Sequence, residues 1–367
     1  MRDTSNFQPR ALLEADIFNT AVFLEWQGCK IRKSEARDTI RNVATLWRIN
    51  PVRDYLNALA WDGVPRLAGG MWEGASIAPL AIEYLGAPDD PIYSTFVLRW
   101  HVAAVARALR PGCKADTMLV LEGRQGRMKS TYVRTMSSIG GHEYFADSVG
   151  DITNPNSIML LQGTWLVEMS ELAGFKGREV AQIKAWLSRT TDRLVPKYES
   201  EPREMPRHYI VAGTHNPSGH GYLHDPTGGR RFWPVPCGDI DVRRVIKDRD
   251  QIWAEAVQMY RGNTKWWLTA EEEAEADALT QDRRAEDPWA GRIDEYLQMN
   301  GATVTISDVL KNIGVPVGQQ NEFSVKRVSE HLAMTGWARE PGTRTWMLGD
   351  RRVEADVGPV DGDQVAW

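Results

Sequence analysis

Cysteine is scarce in this 367-residue chain, and the three present, Cys29, Cys113 and Cys237, are odd in number and far apart. That pattern excludes a disulfide framework and a CxxC zinc site, and it fits a reducing cytoplasm. Long apolar runs are also missing. None approaches the ~20 residues that a membrane-spanning helix needs, so no membrane partner is expected. The opening MRDTSNFQPRALLEAD carries charge and proline where a secretory signal would be continuously apolar, and export is not expected. Positive charge is not in surplus either: 44 Lys and Arg face 49 Asp and Glu, for a formal net charge of −5. Any contact with nucleic acid must therefore come from local patches. There is no internal repeat.

What is present divides into segments of different texture. Residues 1–114 read as an N-terminal helical region, in which NPVRDYLNALAWDGVPRL gives a short helix and then a turn at Asp62-Gly63. Ile92, Phe96, Val97, Trp100, Ala104 and Val105 recur at helical spacing until Pro111-Gly112 ends the pattern. From 115 to 240 the chain changes to short apolar runs between helices: Met118–Leu121, Trp165–Val167, Tyr209–Ala212 and Phe232–Val235. Runs of this length suit buried strands of an α/β sheet, and this segment is the expected catalytic core. Residues 241–288 read as a helical lid or linker that includes EEEAEADALTQDRRAED. From 289 to 348, three helices and a hairpin around Pro341-Gly342 make a winged-helix-like module. The polar tail 349–367 is expected to be disordered.

The strongest motif is LVLEGRQGRMKSTYVRTM, a strand, a loop and a helix. It fits G-x-x-x-x-G-K-[ST] through Gly123, Lys129 and Ser130, and the nucleotide-cradling run is Gly123, Arg124, Gln125, Gly126, Arg127, Met128, Lys129, Ser130 and Thr131. Consecutive backbone N–H groups in such a loop face the phosphates while the helix N-terminus adds positive charge. Lys129 is expected at the β and γ phosphates of ATP and Ser130 on Mg²⁺. Met128 departs from the pattern, which has glycine at that place.

Two further strand ends carry polar residues. WLVEMSEL sets Glu168 at the end of an apolar run with Glu171 just beyond, candidates for holding Mg²⁺ and orienting the attacking water, in either order. HYIVAGTHN ends on Asn216, whose amide can bond the γ-phosphate and the water. In DPTGGRRFWPV, Arg230 and Arg231 lie between a glycine pair and a strand, where a guanidinium can stabilise charge on a transferring phosphoryl group. Without the loop, each of these would read as an ordinary strand cap or solvated turn. His215, His220 and His224 lack thiols and regular metal-ligand spacing, so a zinc site is not expected.

The phrases NPVRDYLNALAWDGVPRL, AVARALRPGCKADTMLVLEGRQGRMKST, WLVEMSELAGF, IKAWLSRTTDRLVPKY, YIVAGTHN and DPTGGRRFWPV, spanning roughly residues 50–235, resemble the virulence-associated protein E family of phage and mobile elements. The resemblance implies a P-loop ATPase core of the superfamily 3 helicase kind within the AAA+ class. It also implies hexameric rings on DNA, 3′→5′ movement and a bacterial host cytoplasm. Lys129, Ser130, Glu168, Glu171 and Asn216 then match nucleotide-site positions, and Arg230 or Arg231 the position of an arginine supplied to the neighbouring subunit. No primase module is expected before the core.

Helicases of this type present a hairpin to the channel, and LVPKYES occupies that place, with Lys197 for phosphate and Tyr198 for stacking on single-stranded DNA. Lys326 and Arg327 on a helix, with Arg339 and Arg344 on the hairpin, are the residues with which the C-terminal module would contact duplex DNA. The leading reading is an ATP-driven DNA helicase or translocase in phage or mobile-element replication. The alternatives are an ATP-dependent replication initiator that does not unwind, and a small-molecule P-loop kinase.

Overall fold

The structure is a computed structural model in which residues 12–46, 49–170, 177–195, 201–216, 229–281, 289–300 and 303–348 are described. It divides into two compact units, residues 1–58 and 59–367. In the first, α1 (Glu14–Trp26), α2 (Lys33–Leu46) and α3 (Pro51–Ala58) are helical. The α1 start is fixed by the Asp16 carboxylate, which accepts from the Leu13 backbone N–H at 2.8 Å. Ile17, Ala21 and Ala36 form its small buried cluster.

The second unit opens with a hairpin, β1 (Gly70–Trp72) and β2 (Ala75–Ile77), and then α4 (Leu80–Glu83). The long helix α5 (Pro91–Leu109) starts where a helix should: Asp90 accepts from the Ile92 N–H and Pro91 takes the first turn, where a missing N–H costs nothing. After it come β3 (Met118–Glu122), α6 (Lys129–Ser137), a β4 (Ser138–Ile139) and β5 (His142–Glu143) hairpin, β6 (Phe145–Ala146), α7 (Pro155–Leu160), β7 (Leu166–Met169) and α8 (Gly177–Leu187). A second hairpin follows, β8 (Thr191–Leu194) with β9 (Arg203–Pro206), then β10 (Ile210–His215), β11 (Phe232–Pro236), α9 (Val242–Arg261) and α10 (Ala270–Gln281).

Five of these strands make one sheet in the order β11-β3-β10-β7-β6, and every pairing in it is parallel. The apolar runs at β3, β7 and β10 are buried along their whole length, as strands covered on both faces require. At the edge, β11 pairs with β3 and carries Pro234 and Pro236. Tryptophans tie the helices together and to this sheet while satisfying their indole N–H groups: Trp100 of α5 donates to the Val211 carbonyl in β10 at 2.8 Å, and Trp253 of α9 to the Met136 carbonyl in α6 at 2.8 Å.

The C-terminal elements are α11 (Ala290–Met299), β12 (Thr303–Thr305), α12 (Ile306–Asn312), α13 (Glu322–Met334), β13 (Trp337–Arg339) and β14 (Thr345–Leu348). The expected hairpin, β13 with β14, gains a third strand, and the order is β12-β14-β13. Ile293, Val309, Val328, Leu332 and Trp346 belong to its own core.

Candidate functional site: a phosphate loop at the ends of three parallel strands

Because β3, β7 and β10 are adjacent and parallel, their carboxyl ends open on one edge of the sheet, the usual place for a ligand in open α/β sheets. The turn after β3 is pressed against the chain that leaves β11: the Cys237 N–H donates to the Glu122 carbonyl at 2.6 Å. A Cβ on Gly123 would stand 2.9 Å from the Cys237 carbonyl oxygen, so only glycine fits there. Burial pushes the Cys237 thiol up to about 12, which keeps it neutral beside the loop. Arg127 reaches across the same seam to pair with Asp239.

At Met128 the backbone adopts φ 60° and ψ 24°. This is the left-handed conformation for which the motif's glycine is suited, here carried by an L-residue. The departure is therefore in the side chain and not in the backbone. Met128 leads into α6 without any side-chain cap, so the first N–H groups of α6 are left for an anion.

Lys129 is 7% exposed and its ammonium uses all three donors. It donates to the Gly123 carbonyl at 2.6 Å, the Arg124 carbonyl at 3.0 Å and Asn216 Oδ1 at 2.8 Å. Burial lowers its pKa, partly offset by the nearby Glu168 carboxylate. Next to it, Glu168 is 2% exposed, and its Oε1 accepts from two hydroxyls, Ser130 Oγ and Thr214 Oγ1, both at 2.6 Å. Such short bonds are typical of hydroxyls on a carboxylate. Thr214 was not among the sequence candidates. Its signal was its place in strand β10 two residues before Asn216, on the same side of the pleat.

Lys129, Ser130, Glu168 and Asn216 thus converge, with Gly123, Arg124, Gln125, Gly126, Arg127, Met128 and Thr131 supplying the loop and first helical turn. The residues suit a nucleotide triphosphate and its divalent cation: a close-approach glycine, an uncapped helix start, a buried ammonium, and a hydroxyl beside a carboxylate. Among the described residues no group of three His, Cys, Asp or Glu gathers. A cation at Ser130 and Glu168 would accordingly take its other ligands from phosphate and water, as Mg²⁺ commonly does. Glu171, Lys197, Tyr198, His220 and His224 lie outside the described residues.

Arg230 and Arg231 are elsewhere. They form the 3₁₀ turn just before β11, beside the start of β3 and therefore at the opposite end of the sheet from the loop. Arg230 faces Glu273 at 3.6 Å and Arg231 faces Asp116 at 3.8 Å. A cleft of about 510 Å³ opens there. In the C-terminal elements, Arg327 of α13 lies over the Trp289 ring at 4.2 Å. Lys326, Arg339 and Arg344 are exposed, and Arg339 Nε donates to the Thr343 carbonyl at 3.2 Å.

The segment expected to meet single strands is the hairpin β8–β9, whose described arms are held by a buried ion pair. Arg207 donates to Asp192 at 2.6 and 2.9 Å, and both side chains are 3% exposed. The Arg207 guanidinium also lies against the Trp186 and Tyr209 rings, and Tyr209 donates to Asp192 at 3.1 Å. Among the described residues, no helix is long and apolar enough to cross a membrane.

Comparison with solved structures finds an A-form apo structure of the NrS-1 C-terminal region, at 12% identity over 76% of this chain and 82% of that one, with a TM-score of 0.41. A second apo structure of the NrS-1 C-terminal region gives 13% identity, 76% and 72% coverage, and a TM-score of 0.38. No curated protein matches the chain. The model of the virulence-associated protein E-like domain matches residues 56–285, more than half of the sequence, and the chain belongs to that family.

Proposed function

We propose that this protein is an ATP-driven DNA helicase or translocase of phage or mobile-element replication, working in the host cytoplasm and hydrolysing ATP at the subunit interfaces of a ring, a hexamer by family resemblance. The observation that carries this reading is the convergence of Lys129, Ser130, Glu168 and Asn216 at the ends of three adjacent parallel strands. In it, the backbone from Gly123 to Met128 and the start of α6 hold the phosphates, and Lys129 offsets their charge once it leaves the loop carbonyls. Ser130 and Glu168 would hold a Mg²⁺ ion, which would supply charge neutralisation to the phosphates. Asn216 and Glu171 orient the attacking water, and Arg230 or Arg231 of a neighbouring subunit stabilises the transferring group.

Single-stranded DNA would pass along Lys197 and Tyr198, on a hairpin whose arms are firmly rooted by Arg207 and Asp192. The C-terminal elements run helix, strand, helix, helix, hairpin, which supports reading them as a winged-helix module for duplex DNA through Lys326, Arg327, Arg339 and Arg344. The core is accordingly of the P-loop AAA+ type. ATP hydrolysis that single-stranded DNA accelerates, together with strand displacement on a tailed duplex, is the expected result. Hydrolysis without displacement would favour the initiator reading, and unaltered hydrolysis in Lys129→Ala would overturn the site.

A further inference from the structure

The cleft at the far end of the sheet is too large and too particular in its lining to be only a surface on which two arginines rest. Its wall is built from the segment between α5 and β3, the 3₁₀ turn before β11, and the stretch that joins α9 to α10. Two features define its chemistry. The first is an aromatic platform. Trp266 is anchored by its indole N–H, which donates to the Lys114 carbonyl at 2.8 Å. Trp267 meets it edge-on, with ring centroids 5.1 Å apart and 84° between planes. Trp267 remains 50% exposed while its neighbour Leu268 is buried, so an indole face stands open at the mouth.

The second feature is charge. Four cations, Arg110, Lys114, Arg230 and Arg231, line the cleft with two carboxylates, Asp116 and Glu273. The pairs they form with one another are loose: 3.8 Å for Lys114 with Asp116, 3.8 Å for Arg231 with Asp116 and 3.6 Å for Arg230 with Glu273. All exceed hydrogen-bonding reach. Arg110 is exposed and has no ion pair among the described residues. A phosphate could therefore be taken up without breaking a strong internal bond. Orphaned polar atoms lie in the same wall, since Thr117 Oγ1 and Arg231 Nε have no hydrogen-bond partner, and buried groups of this kind are normally satisfied.

An open indole beside cations that outnumber the carboxylates, and are only loosely paired with them, selects a ligand with a flat π-face and a negative group a few ångströms away. We infer that this cleft is a second nucleotide-binding site, distinct from the phosphate loop, which stacks a base on Trp267 and holds the attached phosphate with Arg110 and Lys114. The nucleotide unit can belong to a nucleic-acid strand or be a mononucleotide. This site shares its wall with Arg230 and Arg231 but needs none of the residues at the phosphate loop, so variants of Arg110, Lys114 and Trp267 test it separately from the loop.

The test uses the full chain with two probes, fluorescein-labelled oligo-dT and ATP. Trp267→Ala is expected to weaken oligo-dT binding on the order of 10-fold, with Trp267→Phe retaining most of the affinity because it keeps a stacking face. The double variant Arg110→Ala/Lys114→Ala is expected to lower the log–log salt slope for oligo-dT by about 1.4, at about 0.7 for each phosphate contact. If the ligand is instead a mononucleotide, Lys129→Ala protein will retain weak ATP binding that Trp267→Ala removes while oligo-dT binding stays constant. Lys114→Glu gives a check that does not disturb the aromatic platform, and it should reproduce whichever loss is seen. Unchanged oligo-dT affinity together with unchanged residual ATP binding in all these variants would overturn the proposal. Loss of ATP hydrolysis in Lys129→Ala with no effect of the cleft variants would leave the loop reading intact and this one refuted.

Discussion

At φ 60° a methionine holds a conformation that costs an L-residue roughly 1–2 kcal/mol. Met128 is 47% exposed, so little packing opposes its removal. Glycine would relieve the strain but adds freedom to the unfolded chain, worth about 0.5–1 kcal/mol in the other direction. Met128→Gly should therefore gain up to about 1 kcal/mol, read as a higher urea midpoint at unchanged slope, with nucleotide affinity kept or improved. A loss of stability would mean that the methionine side chain holds the loop. His101 poses the opposite problem, being fully buried in α5 between tryptophans. Its Nδ1 donates to the Val97 carbonyl at 2.7 Å and its Nε2 accepts from the Tyr132 hydroxyl at 2.9 Å, a pattern that needs a neutral ring. Burial pushes its pKa down from 6.5 to about 4. The unfolded chain therefore binds a proton that the fold refuses. Stability contributed here is intact above pH 6.5 and declines as pH falls toward 4, by roughly 3 kcal/mol in total. His101→Gln should flatten that part of the stability–pH curve, and an unchanged curve would show that His208 and His215, also lowered by burial, dominate it.

The hairpin β8–β9 illustrates what an element needs beyond its own strands. Its arms are short and largely polar, and what fixes them is Arg207 on Asp192, inside a wall of Trp186 and Tyr209. Removing one partner leaves a buried charge alone, so Asp192→Ala or Arg207→Ala should cost about 3–5 kcal/mol, measured by chemical denaturation. A cost near zero would mean that water enters and replaces the pair. This clamp was invisible in the sequence because Asp192 and Arg207 are 15 residues apart with no periodicity to link them. Helix α5, by contrast, is legible from its 3.6-residue apolar spacing and its Asp-Pro start, and β3, β7, β10 and β11 from their short apolar runs. The two-residue strand β6 and the polar arms of β8 and β9 carry too little pattern to be read. In the site, Lys129, Ser130 and Asn216 were legible because each comes after an apolar strand, and Glu168 because it is the one polar residue at the end of such a run. Thr214 was not, since within a strand its hydroxyl looks like any β-branched residue until the neighbouring strand brings Glu168 to it.

Across the whole molecule, the length of β3 separates the loop that carries Lys129 from the turn that carries Arg230 and Arg231. Four steps of about 3.3 Å put some 13 Å between the start of β3, beside Arg230 and Arg231, and its last residue before the loop. These arginines cannot serve their own loop; they line the cleft at that end, Arg230 half-exposed and Arg231 largely buried. If a neighbouring subunit adjoins that end, Arg230→Ala or Arg231→Ala should bind ATP normally and hydrolyse it on the order of 10³-fold more slowly. A Lys129→Ala subunit keeps its arginines, so mixing it with the arginine variant should restore part of the activity that each lacks alone. Mixed assemblies that form and stay inactive would reject supply from the neighbour, while normal hydrolysis by both single arginine variants would reduce the pair to a solvated turn.

The prolines of β11 bear on how such a molecule survives at high concentration. In a parallel strand, alternate residues point their backbone groups to alternate sides, and the Cys237 N–H bonds inward to β3. Val235 and Trp233 share that inward side, which turns the buried Pro234 and the half-buried Pro236 to the side away from β3. Neither has an N–H to offer, so the margin cannot template a further strand from another chain. The route by which sheet margins zip into insoluble aggregates is thus blocked at this border by the prolines as well as by the packing that buries the strand.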